Sequence, residues 1–161
     1  MPSSPIRYEQ GTFMAPIHTA ASIVVQRPIE VVFEAFLNPD TFTEWFGMAE
    51  EIRDFSGHPI GVGTTYTGIG RVMGQEIINA VEIIEYDPPH HVVVQSDSPV
   101  IRGRNHMDFT PIADDATQID IALTGETAGV LSRLALPVLR GQIQKQMHGD
   151  LQRFKRMIEA R

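Results

Sequence analysis

Residues 27–46 read RPIEVVFEAFLNPDTFTEWF, a stretch that predicts two short helices in close succession. Apolar residues in its first half recur at helical spacing, so one face of the first helix should be buried. Pro28 suits the first helical turn because a proline has no N–H to lose there. Asn38-Pro39 ends this helix, since the residue before a proline avoids the α region. The second helix is predicted to end at Trp45-Phe46, which contains the only tryptophan of the chain.

Around this stretch the sequence predicts one earlier strand, an antiparallel meander and a long terminal helix. Short turns join the strand candidates, so neighbouring strands should pair antiparallel. The predicted strands span residues 19–26, 51–55, 64–67, 71–73, 75–86, 92–98, 104–110 and 117–124, with a glycine turn or bulge between the third and the fourth. The terminal helix is predicted from Pro137 to Glu159, because a proline in its interior would break it. One face of this helix carries the apolar stripe Ile143, Met147, Leu151, Phe154 and Ile158.

Length and composition indicate one globular domain. The 161 residues predict a loose N-terminal arm over residues 1–16 and a single domain over residues 17–161. The lack of cysteine excludes disulfides, thiolate metal sites and cysteine nucleophiles. The histidines follow no metal-binding spacing, and His90-His91 is predicted to lie in a solvated loop. The sequence therefore predicts neither a metal nor a cofactor. No apolar run of about 18 residues and no signal-peptide pattern occur, so a cytoplasmic protein without a transmembrane segment is expected.

The distribution of charge along the chain indicates which kinds of partner the protein can bind. A net charge of −7 argues against nucleic-acid binding, because phosphates need a basic surface. Residues 129–161 nevertheless carry seven of the 13 Lys and Arg residues and only two of the 20 Asp and Glu residues. The simplest interpretation is that these basic residues form a solvated helix face. The alternative is a weak contact of the basic C-terminal helix with an anionic membrane or an acidic partner. No pattern predicts the oligomeric state.

Four motifs carry a family resemblance. The first motif combines residues 28–33 with Asn38-Pro39 and Trp45-Phe46. The other three are residues 61–66 (GVGTTY), 82–89 (EIIEYDPP) and 150–159 (DLQRFKRMIE). Over residues 19–160 the chain resembles the START-like (SRPBCC, helix-grip) superfamily, in particular its polyketide cyclase/dehydratase-like and activator-of-Hsp90 homologue-like members. The resemblance implies an α+β fold in which a curved antiparallel sheet of six or seven strands wraps around the terminal helix. It also implies an apolar cavity between the sheet and that helix.

Alternation along the strands predicts which side chains face that cavity. In residues 75–83 the odd positions are expected inside, because burying Glu76 and Glu82 unpaired would be costly. Among the inward positions, Gln75, Asn79 and Asn105 are polar groups that either a ligand, water or the backbone would satisfy. The candidate ligand-binding residues are Trp45, Tyr66, Gln75, Ile77, Asn79, Val94, Asn105, Met107, Phe109, Val138 and Met147.

Three functions stay open at this point. The first is binding or transport of a hydrophobic small molecule, such as a lipid, a polyketide or an isoprenoid-like compound. The second is a polyketide cyclase/dehydratase-type enzyme, which needs an acid or base within about 3 Å of a substrate proton. The inward positions offer amides and a phenol but no His, Asp or Glu, so the sequence leans away from an enzyme and names no catalytic residue. The third is a protein-interaction module like the Hsp90-activator homologues.

Overall fold

A computed structural model describes residues 13–72, 74–128 and 131–161 of the chain. Its strands are β1 (Phe13–Val25), β2 (Glu51–Arg53), β3 (Thr65–Val72), β4 (Gln75–Asp87), β5 (His91–Asp97), β6 (Ile101–Ala113) and β7 (Ala116–Ala128). The helices are α1 (Ile29–Phe36), α2 (Phe42–Trp45) and α3 (Leu131–Glu159). The order of elements agrees with the predicted one.

The seven strands form one antiparallel sheet in the order β1-β7-β6-β5-β4-β3-β2. The N-terminal strand therefore pairs with the C-terminal one, while the other strands follow one another as a meander. The terminal helix α3 packs chiefly against β1, and α1 and α2 also contact it. This is the helix-grip fold that the sequence predicts.

One end of the space between the sheet and α3 is filled by aromatic side chains, and we call it the packed end. Helix α1 supplies Phe33 and Phe36, whose rings lie 5.2 and 5.4 Å from the ring of Phe109 on β6. The ring of Phe154 on α3 lies 4.9 Å from that of Phe36. Phe109 and Phe154 are essentially inaccessible to solvent. The helical spacing seen in residues 27–37 thus buries the face that it predicts.

Several predicted boundaries need correction. Strand β1 begins at Phe13, so the end of the predicted arm belongs to the sheet, while residues 1–12 lie outside the described residues. Strand β1 pairs with β7 over nearly its whole length, and this pairing extends β1 beyond the β-branched residues at its centre. Helix α3 begins at Leu131 and contains Pro137 in its interior, where the sequence predicts a helix start. Pro137 is the seventh residue of α3, so the helix continues through it without the hydrogen bond that an N–H at this position would donate to the carbonyl of residue 133.

The predicted glycine turn is absent, because β3 continues through Gly68 and Gly70. Gly70 packs against the chain before β2, and a Cβ atom there would lie 1.9 Å from the carbonyl oxygen of Met48. A glycine is therefore needed at this position for close packing and not for a turn. His91, predicted in a loop, is the first residue of β5.

Among the described residues, no helix has the length and apolar character needed to cross a membrane.

Candidate functional site: a cavity between the sheet and the terminal helix

Beyond the packed end, the same two layers enclose a cavity of about 240 Å³. Its sheet wall comes from β2, β3, β4, β5, β6 and β7. Its helical wall comes from α1, α2, the residues that follow α2, and α3. Most of the lining side chains are apolar, and on the helical side these are Phe36, Leu37, Pro39, Phe42, Trp45, Phe46, Met48, Ala49, Ile143 and Met147. The cavity is therefore a water-poor environment with a small number of polar groups.

The alternation predicted for the strands is confirmed on the sheet wall. Ile77, Asn79, Val81 and Ile83 of β4 line the cavity, whereas Glu76 and Glu82 are exposed. On the neighbouring strands the lining residues include Val94, Ser96, Asn105, Met107, Ile121 and Leu123. Arg104 and Asp108 of β6 are exposed, in agreement with the same alternation.

Of the predicted candidates, eight lie on the cavity wall: Trp45, Tyr66, Ile77, Asn79, Val94, Asn105, Met107 and Met147. Three do not. Gln75 is exposed at the start of β4, Phe109 belongs to the packed end, and Val138 is 64% exposed on α3. The alternation predicted the correct face for Gln75 and Phe109, but it carries no information on which part of a strand borders the cavity.

The sheet wall carries three polar side chains on adjacent strands, Asn79 on β4, Ser96 on β5 and Asn105 on β6. Asn79 Oδ1 is fully covered and has no hydrogen-bond partner among the described residues. Ser98, at the end of β5, differs from them because its hydroxyl donates to the carbonyl of Ile101 at 3.0 Å and accepts from the N–H of Ile101 at 3.1 Å.

Two aromatic residues add polar atoms to the lining. Burial raises the pKa of the Tyr66 phenol, which therefore stays protonated at neutral pH and keeps its donor proton. Trp45 is 2% exposed, and its Nε1 has no hydrogen-bond partner within the described part of the chain. The ring of Trp45 is held between those of Phe36 and Phe154, at 4.5 and 5.2 Å. Trp45 therefore connects the packed end to the cavity.

The helical wall contains one feature that the sequence did not predict, the buried carboxylate of Asp150. Asp150 is 4% exposed, and it is the one carboxylate among the described residues of the lining. Its Oδ1 accepts hydrogen bonds from the N–H of Gly47 at 3.0 Å, from Gln146 Nε2 at 2.8 Å and from Arg153 Nη2. We call these four residues the Asp150 network. Burial raises the pKa of Asp150 even though each of these contacts favours the ionised form.

The Asp150 network holds the chain after α2 against α3. Arg153 Nε donates to the carbonyl of Trp45 at 3.0 Å, next to the bond between Gly47 and Asp150. A Cβ atom on Gly47 would lie 2.6 Å from both Gln146 Nε2 and Arg153 Nη2. The segment that contributes Trp45, Phe46 and Met48 to the cavity is thus fixed by a polar contact at its centre.

Asp150 had a signal in the sequence. It follows Met147 by three residues and Gln146 by four, so it lies on the helix face that carries the apolar stripe. A charged residue on a buried helix face indicates either a buried ion pair or a functional site. The prediction that no Asp, Glu or His faces inward is therefore wrong for Asp150.

The outer face of the sheet carries a second polar cluster, away from the cavity. His91 Nδ1 lies 2.6 Å from Asp108 Oδ1, and His91 Nε2 lies 3.2 Å from Glu85 Oε2. The hydrogen bond to Asp108, with a smaller contribution from Glu85, raises the pKa of His91. Within the described ranges, no group of three or more His, Asp or Glu side chains is arranged to hold a metal ion.

Two basic residues of α3, and Arg161 just after its end, are bonded within the chain. Arg153 belongs to the Asp150 network, and Lys155 Nζ donates to the carbonyl of Val24 at 2.6 Å and to Glu159 at 2.8 Å. Arg161 pairs with Glu44 at 2.9 Å. These contacts fasten α3 to β1 and α2, and a contact of this helix with a membrane or an acidic partner stays a prediction.

Residues 16–159 match the family model described as polyketide cyclase / dehydrase and lipid transport. The chain belongs to this family. The match covers nearly all of the sheet and helices described above, in agreement with the START-like resemblance. No curated protein sequence matches the chain significantly.

Solved structures show the same fold at low sequence identity. A protein from Thermus thermophilus is 16% identical with a TM-score of 0.77, covering 89% of this chain and 97% of the other. The Zhui aromatase/cyclase from a Streptomyces species is 14% identical with a TM-score of 0.75, covering 89% and 94%. A START superfamily protein from Mycobacterium smegmatis is 11% identical with a TM-score of 0.71, covering 89% and 97%. At such identities the likeness establishes the fold alone.

Proposed function

We propose that this member of the polyketide cyclase / dehydrase and lipid transport family binds a hydrophobic small molecule in the cavity between the sheet and α3. The observation that carries the proposal is a cavity of about 240 Å³ with a largely apolar wall. Pockets for drug-sized ligands measure roughly 300–1,000 Å³, so a compact lipid, polyketide or isoprenoid-like ligand is expected. Apolar walls favour such a ligand by about 25 cal/mol for each Å² of apolar surface removed from water.

Native mass spectrometry of the purified protein, followed by thermal-shift measurements with fatty alcohols, isoprenoid alcohols and aromatic polyketides, tests this proposal. A matched pair of variants locates the binding site. Gly68 lines the cavity, and a Cβ atom there would have a single neighbour, at 3.9 Å, so Gly68→Leu should fill the cavity and abolish the shift. Gly61→Leu adds the same side chain where no atom lies within 4 Å and outside the cavity lining. If both variants respond like the wild type, or if no ligand of the panel binds, the proposal is wrong.

A second candidate function is catalysis of the polyketide cyclase/dehydratase type, and Asp150 is the observation that favours it. All three hydrogen bonds of the Asp150 network are made to Oδ1, so Oδ2 has no partner among the described residues. A buried carboxyl whose pKa is raised holds its proton to a higher pH than a solvated one, and it can exchange that proton with a substrate bound beside it. In this proposal Oδ2 carries the proton that a cyclisation or a dehydration transfers.

Asp150→Asn separates the two candidates. The amide keeps an oxygen that can accept the Gly47 and Arg153 bonds, but it cannot exchange a proton at working pH. With a β-hydroxy ketone as substrate and loss of water followed by absorbance, an enzyme loses about 100-fold or more of its rate in this variant. Asp150→Glu keeps the acid and serves as the control. Turnover that is absent in the wild type, or unchanged in Asp150→Asn, contradicts a catalytic role for Asp150.

A further inference from the structure

We propose that Asn79, with Ser96 beside it, binds a hydroxyl group at one end of the ligand and so selects hydroxyl-bearing apolar molecules over plain hydrocarbons. The inference rests on the proposed binding function, and it assigns a specificity-determining residue to the cavity. Neither residue takes part in the packed end or in the Asp150 network.

The strand register brings these two side chains together. Val81 of β4 lies opposite Ser96 of β5, so Asn79, two residues before Val81, is the diagonal neighbour of Ser96 on the inner face. Diagonal neighbours on one face of a sheet lie about 7–8 Å apart, a gap that one ligand oxygen can bridge. Asn105 of β6 lies one diagonal step further on, beyond the reach of the same oxygen.

Gly68 provides the room for that oxygen. It lies directly opposite Asn79 in the β3–β4 pair, and both residues line the cavity. The nearest atom to a Cβ on Gly68 would be the carbonyl oxygen of Asn79, at 3.9 Å. The missing side chain of Gly68 thus leaves space beside the amide of Asn79.

The amide oxygen of Asn79 is unsatisfied within the described part of the protein. Its Oδ1 is buried without a partner, although buried amide oxygens are nearly always hydrogen-bonded. Rotation about the last side-chain torsion exchanges Oδ1 and Nδ2, because that torsion is broad and nearly two-fold. In one orientation the amide offers a donor to the cavity, and in the other it offers an acceptor. A hydroxyl group both donates and accepts, so it is complementary to either orientation.

Anionic head groups fit this end of the cavity less well. A carboxylate or phosphate placed at Asn79 would be buried without a cation, which is costly. Arg71 is the only cationic side chain among the described lining residues, and it is 60% exposed with Glu50 at 3.5 Å. The neutral polar pair Asn79 and Ser96 therefore favours an uncharged hydroxyl.

Three probes with one ring skeleton test the inference: 2-naphthol, naphthalene and 2-naphthoate, with binding followed by the fluorescence of Trp45. The wild type should bind 2-naphthol about tenfold more tightly than naphthalene, the effect of one well-made buried hydrogen bond. Asn79→Leu, which keeps the size of the side chain, should remove that preference and leave naphthalene binding intact. Gln75→Leu makes the same change on the same strand outside the cavity and should leave the preference unchanged. Asn79→Ala serves as a second variant if Asn79→Leu folds poorly.

The possible outcomes distinguish this inference from the proposed function. Binding of 2-naphthol and naphthalene with equal affinity, or an unchanged preference in Asn79→Leu, overturns the inference and leaves the binding function standing. Tighter binding of 2-naphthoate than of 2-naphthol also overturns it, since the site would then select an anion. Failure of all three probes to bind contradicts the inference and the proposed function together.

Discussion

The two ends of the space between the sheet and α3 differ although the same strands and the same helix form both. At the packed end, Phe33 of α1 meets Phe109 of β6, and Phe36 meets Phe154 of α3. At the other end α2 and the residues that follow it form the helical wall, and the strands carry Gly68, Asn79 and Ser96 where large apolar residues would be needed to fill the space. We call this the hollow end.

The comparison shows that the cavity results from where large side chains are placed and needs no special backbone. A close-packed interior leaves few voids larger than a water molecule. The hollow end departs from this rule by a continuous space of about 240 Å³. Stability should therefore depend on the packed end, and ligand selection on the hollow end. Four predictions test this division.

The largest expected effect comes from the packed end. Phe154→Ala removes a fully buried ring that contacts Phe36 and Trp45, and it should lower the free energy of unfolding by about 3–5 kcal/mol. Urea denaturation measures the change. Val138→Ala on the same helix removes a largely exposed side chain, and its effect should stay within about 0.5 kcal/mol. A loss below about 1 kcal/mol for Phe154→Ala would mean that the packed end does not dominate stability.

The next effect compares two glycines of the hollow end. In Gly70→Ala the added methyl group would meet the Met48 carbonyl oxygen at 1.9 Å, so the backbone must move, at a cost of about 1–3 kcal/mol. Gly68→Ala, two residues away on the same strand, adds its methyl group to the cavity and should cost almost nothing. Thermal unfolding of both variants gives the difference. Equal thermal unfolding midpoints for the two variants would show that the close packing of Met48 against β3 does not contribute to stability.

The sheet wall could be predicted from the sequence more completely than the helical wall, of which the sequence predicted Trp45 and Met147 but not Asp150. Period-two alternation gives each strand residue one of two faces, and the exposed Glu76 and Glu82 decide which face is inside. Alternation says nothing about the position of the cavity along a strand, so Phe109 was expected in the cavity and lies in the packed end. On α3 a buried face spans several positions for each turn, and the partners of Asp150 include Gly47, 103 residues away. A contact of that range follows from the tertiary structure and from no local pattern.

The Asp150 network lies where the helical wall is fastened, and its pH dependence gives the third prediction. Burial raises the pKa of Asp150 above the ordinary value of 3.8, so the folded state holds this proton more tightly than the unfolded state. The contribution of this group to stability is therefore complete below about pH 3.8 and is lost as the pH rises through the raised pKa. The stability of the wild type relative to Asp150→Asn should fall as the pH rises from about 3.8 through the raised pKa.

Urea denaturation of both proteins at several pH values measures this difference. Glu159, whose pKa is lowered chiefly by its bond to Lys155, contributes in the opposite direction. Glu159→Gln is therefore the control, and the stability of the wild type relative to this variant should increase as the pH rises through the lowered pKa and should level off above about 4.5. A rising difference for Asp150→Asn would show that Gly47, Gln146 and Arg153 stabilise the carboxylate by more than burial costs.

The smallest effect belongs to the outer face of the packed end. The hydrogen bond to Asp108 raises the pKa of His91, so its stabilisation is complete below about pH 6.5 and is lost as the pH rises through the raised value. Because the pair is partly exposed, His91→Gln should cost under about 1 kcal/mol at acidic pH and less in high salt. His90→Gln, at the exposed neighbouring position, is the control, and its effect on the free energy of unfolding should stay within about 0.5 kcal/mol. A loss as large as that of Phe154→Ala would mean that polar contacts outside the sheet hold the packed end together. A loss confined to low pH and low salt would leave that role to the aromatic side chains inside.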